Sequence, residues 1–242
     1  MPFIVGGDPS IEVTEAAIIS LDKAGASIIE IGIPFSDPIA DGPVIAAAMH
    51  RALSNGITPG DVIEAISRVR SSVSAGIVAM VSHSIVVKSG STLFINRLFE
   101  AGFDGIIIPD IDVTDAQVIS KYCASIDFSF TMLIAPTTPK DRIQKLAELS
   151  SGFLYILART GLTGEQAELP DLTFRLEEIR EVTSLPLAVG FGISTSEHVS
   201  AVQKVADAAI IGSALVRTME ESDDPATAAG QFVLGIKQKD LA

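Results

Sequence analysis

Eight short apolar runs recur along the 242 residues, separated by longer amphipathic or polar stretches. They are Phe3–Val5, Ile28–Ile31, Ile77–Met80, Gly105–Ile108, Phe130–Ile134, Phe153–Leu157, Leu187–Val189 and Ala208–Ile211. Most are continuous rather than alternating, as expected of parallel strands covered on both faces. The stretches between them, such as Ile11–Ala24, Gly60–Arg70, Thr114–Cys123 and Asp141–Leu149, read as helices. In the first, Thr14, Ala17, Ile18 and Leu21 share one helical face. Strict alternation of strand and helix dictates a parallel sheet. Eight such units of one composition predict an α/β fold of the closed (β/α)8 TIM barrel type, not an open doubly wound sheet. The length suits the ~250 residues of such a barrel. No linker or low-complexity tract interrupts residues 1–242, so they are read as a single domain. Ala24-Gly25-Ala26, Ala101-Gly102-Phe103-Asp104 and Ala206-Asp207 form a weak echo, read as helix ends before strands.

Charge narrows the function. Lys and Arg number 17 against 30 Asp and Glu, a formal net charge of −13. That argues against nucleic acid and against anionic membrane surfaces, which both recruit cationic proteins. A phosphorylated metabolite is not excluded, because backbone N–H groups bind phosphate without any basic side chain. Cys123 is the only cysteine, so no intrachain disulfide can form. No apolar run reaches the ~18 residues needed to span a bilayer. The amino end lacks a basic segment followed by a long apolar one, so a secretory signal is not expected and a reducing cytoplasm is.

Three constellations carry chemistry. The first is Ile28-Ile29-Glu30-Ile31-Gly32-Ile33-Pro34-Phe35-Ser36-Asp37-Pro38-Ile39-Ala40-Asp41-Gly42-Pro43. Glu30 interrupts a strand that is otherwise apolar. Inside a barrel its carboxyl is either desolvated, which raises its pKa and suits a general acid, or half of a structural ion pair. Asp41 follows in the next loop, on the carboxyl-terminal face where barrel active sites lie. Asp37, before Pro38, reads as a turn residue.

The second constellation is Gly190-Phe191-Gly192-Ile193-Ser194 after the seventh strand, with Gly212-Ser213-Ala214 after the eighth. Phosphate sites in these barrels use those two loops and the helix that follows. The third is the long polar loop Ala158-Arg159-Thr160-Gly161-Leu162-Thr163-Gly164-Glu165-Gln166-Ala167-Glu168. It reads as a lid or as a plain surface loop, and Thr163 is its candidate for reaching substrate or a carboxylate. Phe3 and Tyr155 lie in strands, where aromatic residues are usually core. No His, Cys, Asp or Glu spacing suggests a metal site.

Those motifs resemble the tryptophan synthase alpha subunit family over nearly the whole chain. The run from Glu30 to Pro43 is the most specific part of the resemblance. The segments Phe3 to Pro9, Pro109-Asp110, Arg159 to Gly164, Gly190 to Ile193 and Gly212 to Leu215 follow in order. The resemblance implies a lyase that cleaves indole-3-glycerol phosphate to indole and glyceraldehyde 3-phosphate, a retro-aldol step in tryptophan biosynthesis. It implies Glu30 and Asp41 as catalytic, with Thr163 in a closing lid. Gly164, Phe191, Gly192, Gly212 and Ser213 would hold the substrate phosphate, and Phe3 and Tyr155 would line the indole pocket. It implies no cofactor or metal in this chain. The partner implied is a beta subunit that carries pyridoxal phosphate and receives indole, in an alpha2-beta2 complex.

The chain departs from the family's pattern in three places. It begins almost at the first strand, without the usual N-terminal extra helix. After the third strand it reads Met80-Val81-Ser82-His83-Ser84-Ile85 where the family carries Tyr-x-Asn-Pro or a close relative. Asp112 stands where Pro is common. The last two fall where the pocket and the beta-subunit contact are expected, so the expectation is a slow lyase that depends on its partner. The alternative is a degenerate subunit that binds phosphate ligands and only activates its partner.

Overall fold

Residue parity along each strand decides what the chain builds. In β2 (Ile28–Gly32), Ile29 and Ile31 join Ile18, Leu21 and Ile66 in the layer between strands and helices. Glu30, between them, therefore lies on the opposite side, toward the barrel interior. That interior holds Val78, Ile107, Tyr155, Ala188 and Ile210. Residues 1–38, 41–159, 170–190 and 192–238 are described by this computed structural model.

β1 (Phe3–Val5), β2, β3 (Gly76–Met80), β4 (Gly105–Ile107) and β5 (Ser129–Thr131) form one parallel sheet in that order. β6 (Leu133–Ile134), β7 (Leu154–Leu157), β8 (Leu187–Gly190) and β9 (Ala208–Ala209) form a second. β5 and β6 are two halves of the predicted fifth strand. The first half pairs with β4 and the second with β7, and the carbonyl of Met132 between them accepts from Tyr155 N at 3.1 Å. The other seam closes where Phe3 N donates to Ile211 O at 2.8 Å and Ile211 N to Met1 O at 2.9 Å. The ring is thus a barrel of eight strands, as the alternation predicted, with one strand broken. Register places Phe3 beside Glu30, Glu30 beside Val78, and Val78 beside Gly105.

The helices start on side-chain caps. Ser10 Oγ accepts from Val13 N ahead of α1 (Ile11–Lys23), and Thr58 with Asp61 makes a capping box at α3 (Pro59–Val69). The predicted spans 114–123 and 141–149 appear as α6 (Val113–Ser125) and α7 (Lys140–Leu149). Ahead of α6 lie also α2 (Pro43–Ser54), α4 (His83–Lys88) and α5 (Ser91–Ala101). After β7 come α8 (Thr173–Arg180), α9 (Ser196–Gln203), α10 (Ser213–Glu220) and α11 (Pro225–Gln238), which packs on α1. Among the described residues no helix is long and apolar enough to cross a membrane.

The echo of helix ends has a second content. Asp22 Oδ1 accepts from Ala75 N at 2.8 Å, Asp104 Oδ2 from Ile77 N at 2.7 Å, and Asp207 Oδ2 from Leu187 N at 2.7 Å. Each carboxylate ties a helix–strand turn to the start of a neighbouring strand, on the face opposite the predicted site.

Phe94 of α5 is almost wholly buried in the layer between strands and helices. Phe94→Ala removes those contacts and leaves a cavity, so unfolding free energy should fall by about 3–5 kcal/mol. A urea midpoint unchanged from that of the parent would contradict this placement.

Candidate active site

A cavity of about 270 Å³ opens at the carboxyl ends of the strands. Phe3, Tyr155, Asp41, Gly192, Gly212 and Ser213 all line it, and they come from five separate segments of the chain. Apolar side chains that sequence reasoning did not single out complete the wall, among them Ile45 and Met49 of α2, Leu133, Leu157 and Ile210.

Glu30 is completely buried in β2, beside Phe3 in register. Neither carboxylate oxygen finds a hydrogen-bond partner among the described residues. The ion-pair alternative for Glu30 therefore has no partner there. Desolvation raises its pKa from 4.5 to about 8, against a smaller opposing pull from the amino terminus. At neutral pH this carboxyl keeps its proton. Asp41 sits higher, in the loop before α2, where its N–H donates to Pro38 O at 3.0 Å. Partial burial raises it only to about 6, so at neutral pH it is mostly ionised. Tyr155 is held well above its ordinary value by burial first, then by the charges of Glu30 and Asp41. The two carboxyl groups thus sit in different protonation states around one phenol.

The glycines do different jobs. Gly192 adopts φ +86°, a left-handed conformation that side chains resist, and it lines the cavity. Gly190 has another reason to be glycine. A Cβ there would lie 2.4 Å from the Tyr155 hydroxyl, so Gly190 makes room for that ring and not for an anion. At Gly212 a Cβ would meet only ordinary contacts, 3.5 Å from Ile45 and Phe3. Gly212 precedes α10, and Ser213 opens it, both on the cavity wall. Thr163, Gly164 and Phe191 lie outside the described residues. Arg159, at the base of the predicted lid, has a buried Nε without a partner among the described residues.

A family model described as the tryptophan synthase alpha chain matches residues 1–239. The chain belongs to that family. The tryptophan synthase alpha chain of Rhodopirellula baltica is 42% identical over 243 residues, covering 95% of this chain and 84% of its own. That of Trichodesmium erythraeum is 38% identical over 241 residues, covering 98% and 91%. Among solved structures, the tryptophan synthase A-subunit of Pyrococcus furiosus superposes with a TM-score of 0.90 at 31% identity, covering 98% of this chain and 96% of its own. The alpha subunit of Legionella pneumophila gives 0.89 at 33%, covering 98% and 90%. These relatives bear out the family and the barrel predicted from the strand alternation.

Against the alpha chain family's pattern, the unusual residues of this chain have local explanations. Val81 is buried on the cavity wall. Ser82 Oγ and His83 N both donate to the carboxylate of Asp110, at 2.8 and 2.7 Å. That carboxylate ties the loops after β3 and β4 at the cavity rim, a contact between segments that sequence reasoning noted but did not connect. Asp112 caps α6, accepting from Thr114 N at 2.7 Å and Asp115 N at 3.0 Å, and the Asp115 bond chiefly holds its carboxyl below the usual range. Asp37, read as a turn residue, is exposed and also stands on the cavity wall.

The state of Glu30 has a consequence for stability. Folded, it titrates near 8; unfolded, near 4.5. Between those values unfolding releases a proton, so rising pH favours the unfolded chain. That contribution is fully present below about 4.5 and is lost as pH climbs through about 8. Glu30→Gln has no such proton, so its stability relative to the parent should climb across this window. Urea midpoints that run parallel for the two proteins over the whole window would refute the buried neutral acid.

Proposed function

We propose that this cavity cleaves indole-3-glycerol phosphate to indole and glyceraldehyde 3-phosphate. The observation that carries the reading is the placement of two carboxyls: Asp41 on the wall of an apolar cavity that Gly212 and Ser213 also line, and Glu30 buried without a hydrogen-bond partner among the described residues, beside the wall residue Phe3, which leaves the first ionised and the second neutral. Such a pair divides acid and anion roles between two like side chains.

The steps follow from those states. Glu30 gives its proton to the indole carbon that bears the side chain. Positive charge develops on the ring nitrogen, and ionised Asp41 stabilises it. The carboxylate left on Glu30 then takes the proton of the adjacent side-chain hydroxyl. The O–H electrons form the aldehyde, the C–C pair returns to the ring, and indole leaves. Glu30 regains its proton in the same act. Phe3 and Tyr155 confine the indole ring in an apolar slot. Gly192, Gly212 and Ser213, with Gly164 and Phe191, hold the phosphate through backbone N–H groups and the Ser213 hydroxyl. Thr163 belongs to the loop that closes over the substrate. The product indole passes to a beta subunit carrying pyridoxal phosphate, in an alpha2-beta2 complex.

Release of indole from indole-3-glycerol phosphate, with and without the beta subunit, tests the reading. Glu30→Gln should cut it by ~10³-fold while phosphate-ligand affinity stays, the range for a lost general acid–base. A loss of only ~10-fold would remove Glu30 from the proton transfers. A parent protein that releases no indole yet stimulates the beta reaction with a phosphate ligand would be an activator only.

The phosphate end has its own test. Gly212→Val should abolish binding of glyceraldehyde 3-phosphate, because it places a side chain where the backbone must approach the anion. Ser213→Ala should cost about 1 kcal/mol of affinity, one neutral hydrogen bond. Normal binding by the valine variant would put the phosphate elsewhere.

A further inference from the structure

Two different helices carry part of the cavity wall. Asp41 lies two residues before α2, and Ile45 and Met49 on α2 form part of the wall. Gly212 and Ser213 lie at the start of α10. Next to the cavity these helices meet softly, with Ile45 Cδ1 3.5 Å from where a Cβ on Gly212 would sit. Apolar contacts of this kind are non-directional and hold the two helices less sharply than charged, forked hydrogen bonds do.

Beside the buried packing of Ala48, Ala52 and Val216, they also meet through one guanidinium. Arg51 Nη1 on α2 donates to Glu220 Oε1, the last residue of α10, at 2.6 Å. Its Nε and Nη2 also fork onto Asp8 in the loop after β1, at 2.9 and 2.8 Å. Asn55 Nδ2, at the end of α2, adds a bond to Pro9 O at 3.0 Å. The Asp8 carboxylate is only 10% exposed, whereas that of Glu220 is 44% exposed. An exposed pair such as the latter adds little stability. A planar fork held by two carboxylates fixes direction, which an ammonium group would not.

We infer that Arg51 is a positioning residue: by joining α2, α10 and the β1 loop it sets the span between the Asp41 end and the Gly212–Ser213 end of the cavity. The inference rests on the lyase reading above. It distinguishes ligands by reach. A ligand that touches one end feels no change when the span drifts, whereas one that bridges both ends must strain or let go. Misalignment by about 1 Å can cost ~10²-fold in rate without touching a reacting group.

The test uses the full chain and its Arg51→Gln, Arg51→Lys and Glu220→Gln variants. Indole release gives kcat and KM. Calorimetry gives affinities for 3-indolylpropyl phosphate, an unreactive ligand that spans both ends, and for indole and inorganic phosphate singly. Arg51→Gln and Glu220→Gln should each lower kcat by ~10-fold or more, and weaken the spanning ligand alike, with ~2-fold or smaller changes for the single-end ligands. Arg51→Lys, able to hold one carboxylate at a time, should fall between. Equal loss for all three ligands together with a lower melting temperature would make Arg51 merely structural and overturn the inference. So would unchanged kcat and spanning affinity in both glutamine variants. A parent protein without indole release overturns the lyase reading itself, and the inference with it, so the two failures are told apart.

Discussion

A strand covered on both faces has no wet side on which a charge can rest. β2 is such a strand, with Ile29 and Ile31 turned to the helices and Glu30 to the barrel interior. An ionised, unpartnered carboxylate at that depth is far too costly, so the group keeps its proton instead. The acid is therefore made by the fold: closing the barrel around Glu30 is what moves its pKa to about 8. Phe3 beside it in register and Tyr155 on the cavity wall supply the apolar surroundings that make this happen.

Asp41 shows the same force applied less fully. It comes from a loop and not from a strand, so part of it stays near water and its pKa rises only to about 6. Depth along the barrel axis thus sorts two carboxyls into a proton donor and an anion. No neighbouring base is needed to separate them. The order of the two residues, strand first and loop second, is written into the twelve residues from Glu30 to Asp41, which makes the arrangement easy to encode.

Much of this could be read from the sequence because burial and parity leave local traces. Apolar runs at strand length and an intruding Glu are visible without coordinates. The break at Met132 was not, because Phe130–Ile134 is one continuous apolar run. The break answers instead to closure, where the two halves of that strand pair with different neighbours. Gly190 was grouped with the phosphate glycines because all glycines look alike in sequence. Its reason is the Tyr155 ring, 35 residues away. The Asp8–Arg51–Glu220 contacts lay beyond reach for the same reason, joining positions 43 and 169 residues apart. Asp112 had a local signal, since Asp two and three residues ahead of helical N–H groups is a capping arrangement. It stands where the family pattern has Pro, and in this chain it starts a helix.

Asp22, near the end of α1, and Asp207, just ahead of β9, are also carboxyls, yet their pKa values move down, chiefly through backbone N–H bonds from Ala75 and Leu187. What differs is partners. At the amino-terminal face the carboxylates meet unpaired N–H groups of neighbouring strands and stay ionised, and in doing so they hold register. In the barrel interior Glu30 meets none among the described residues, and its proton is left available for chemistry. Carboxyls in this fold therefore divide by partners: those that meet N–H, hydroxyl or guanidinium donors hold segments together at either face, and Glu30, without a donor among the described residues, keeps its proton.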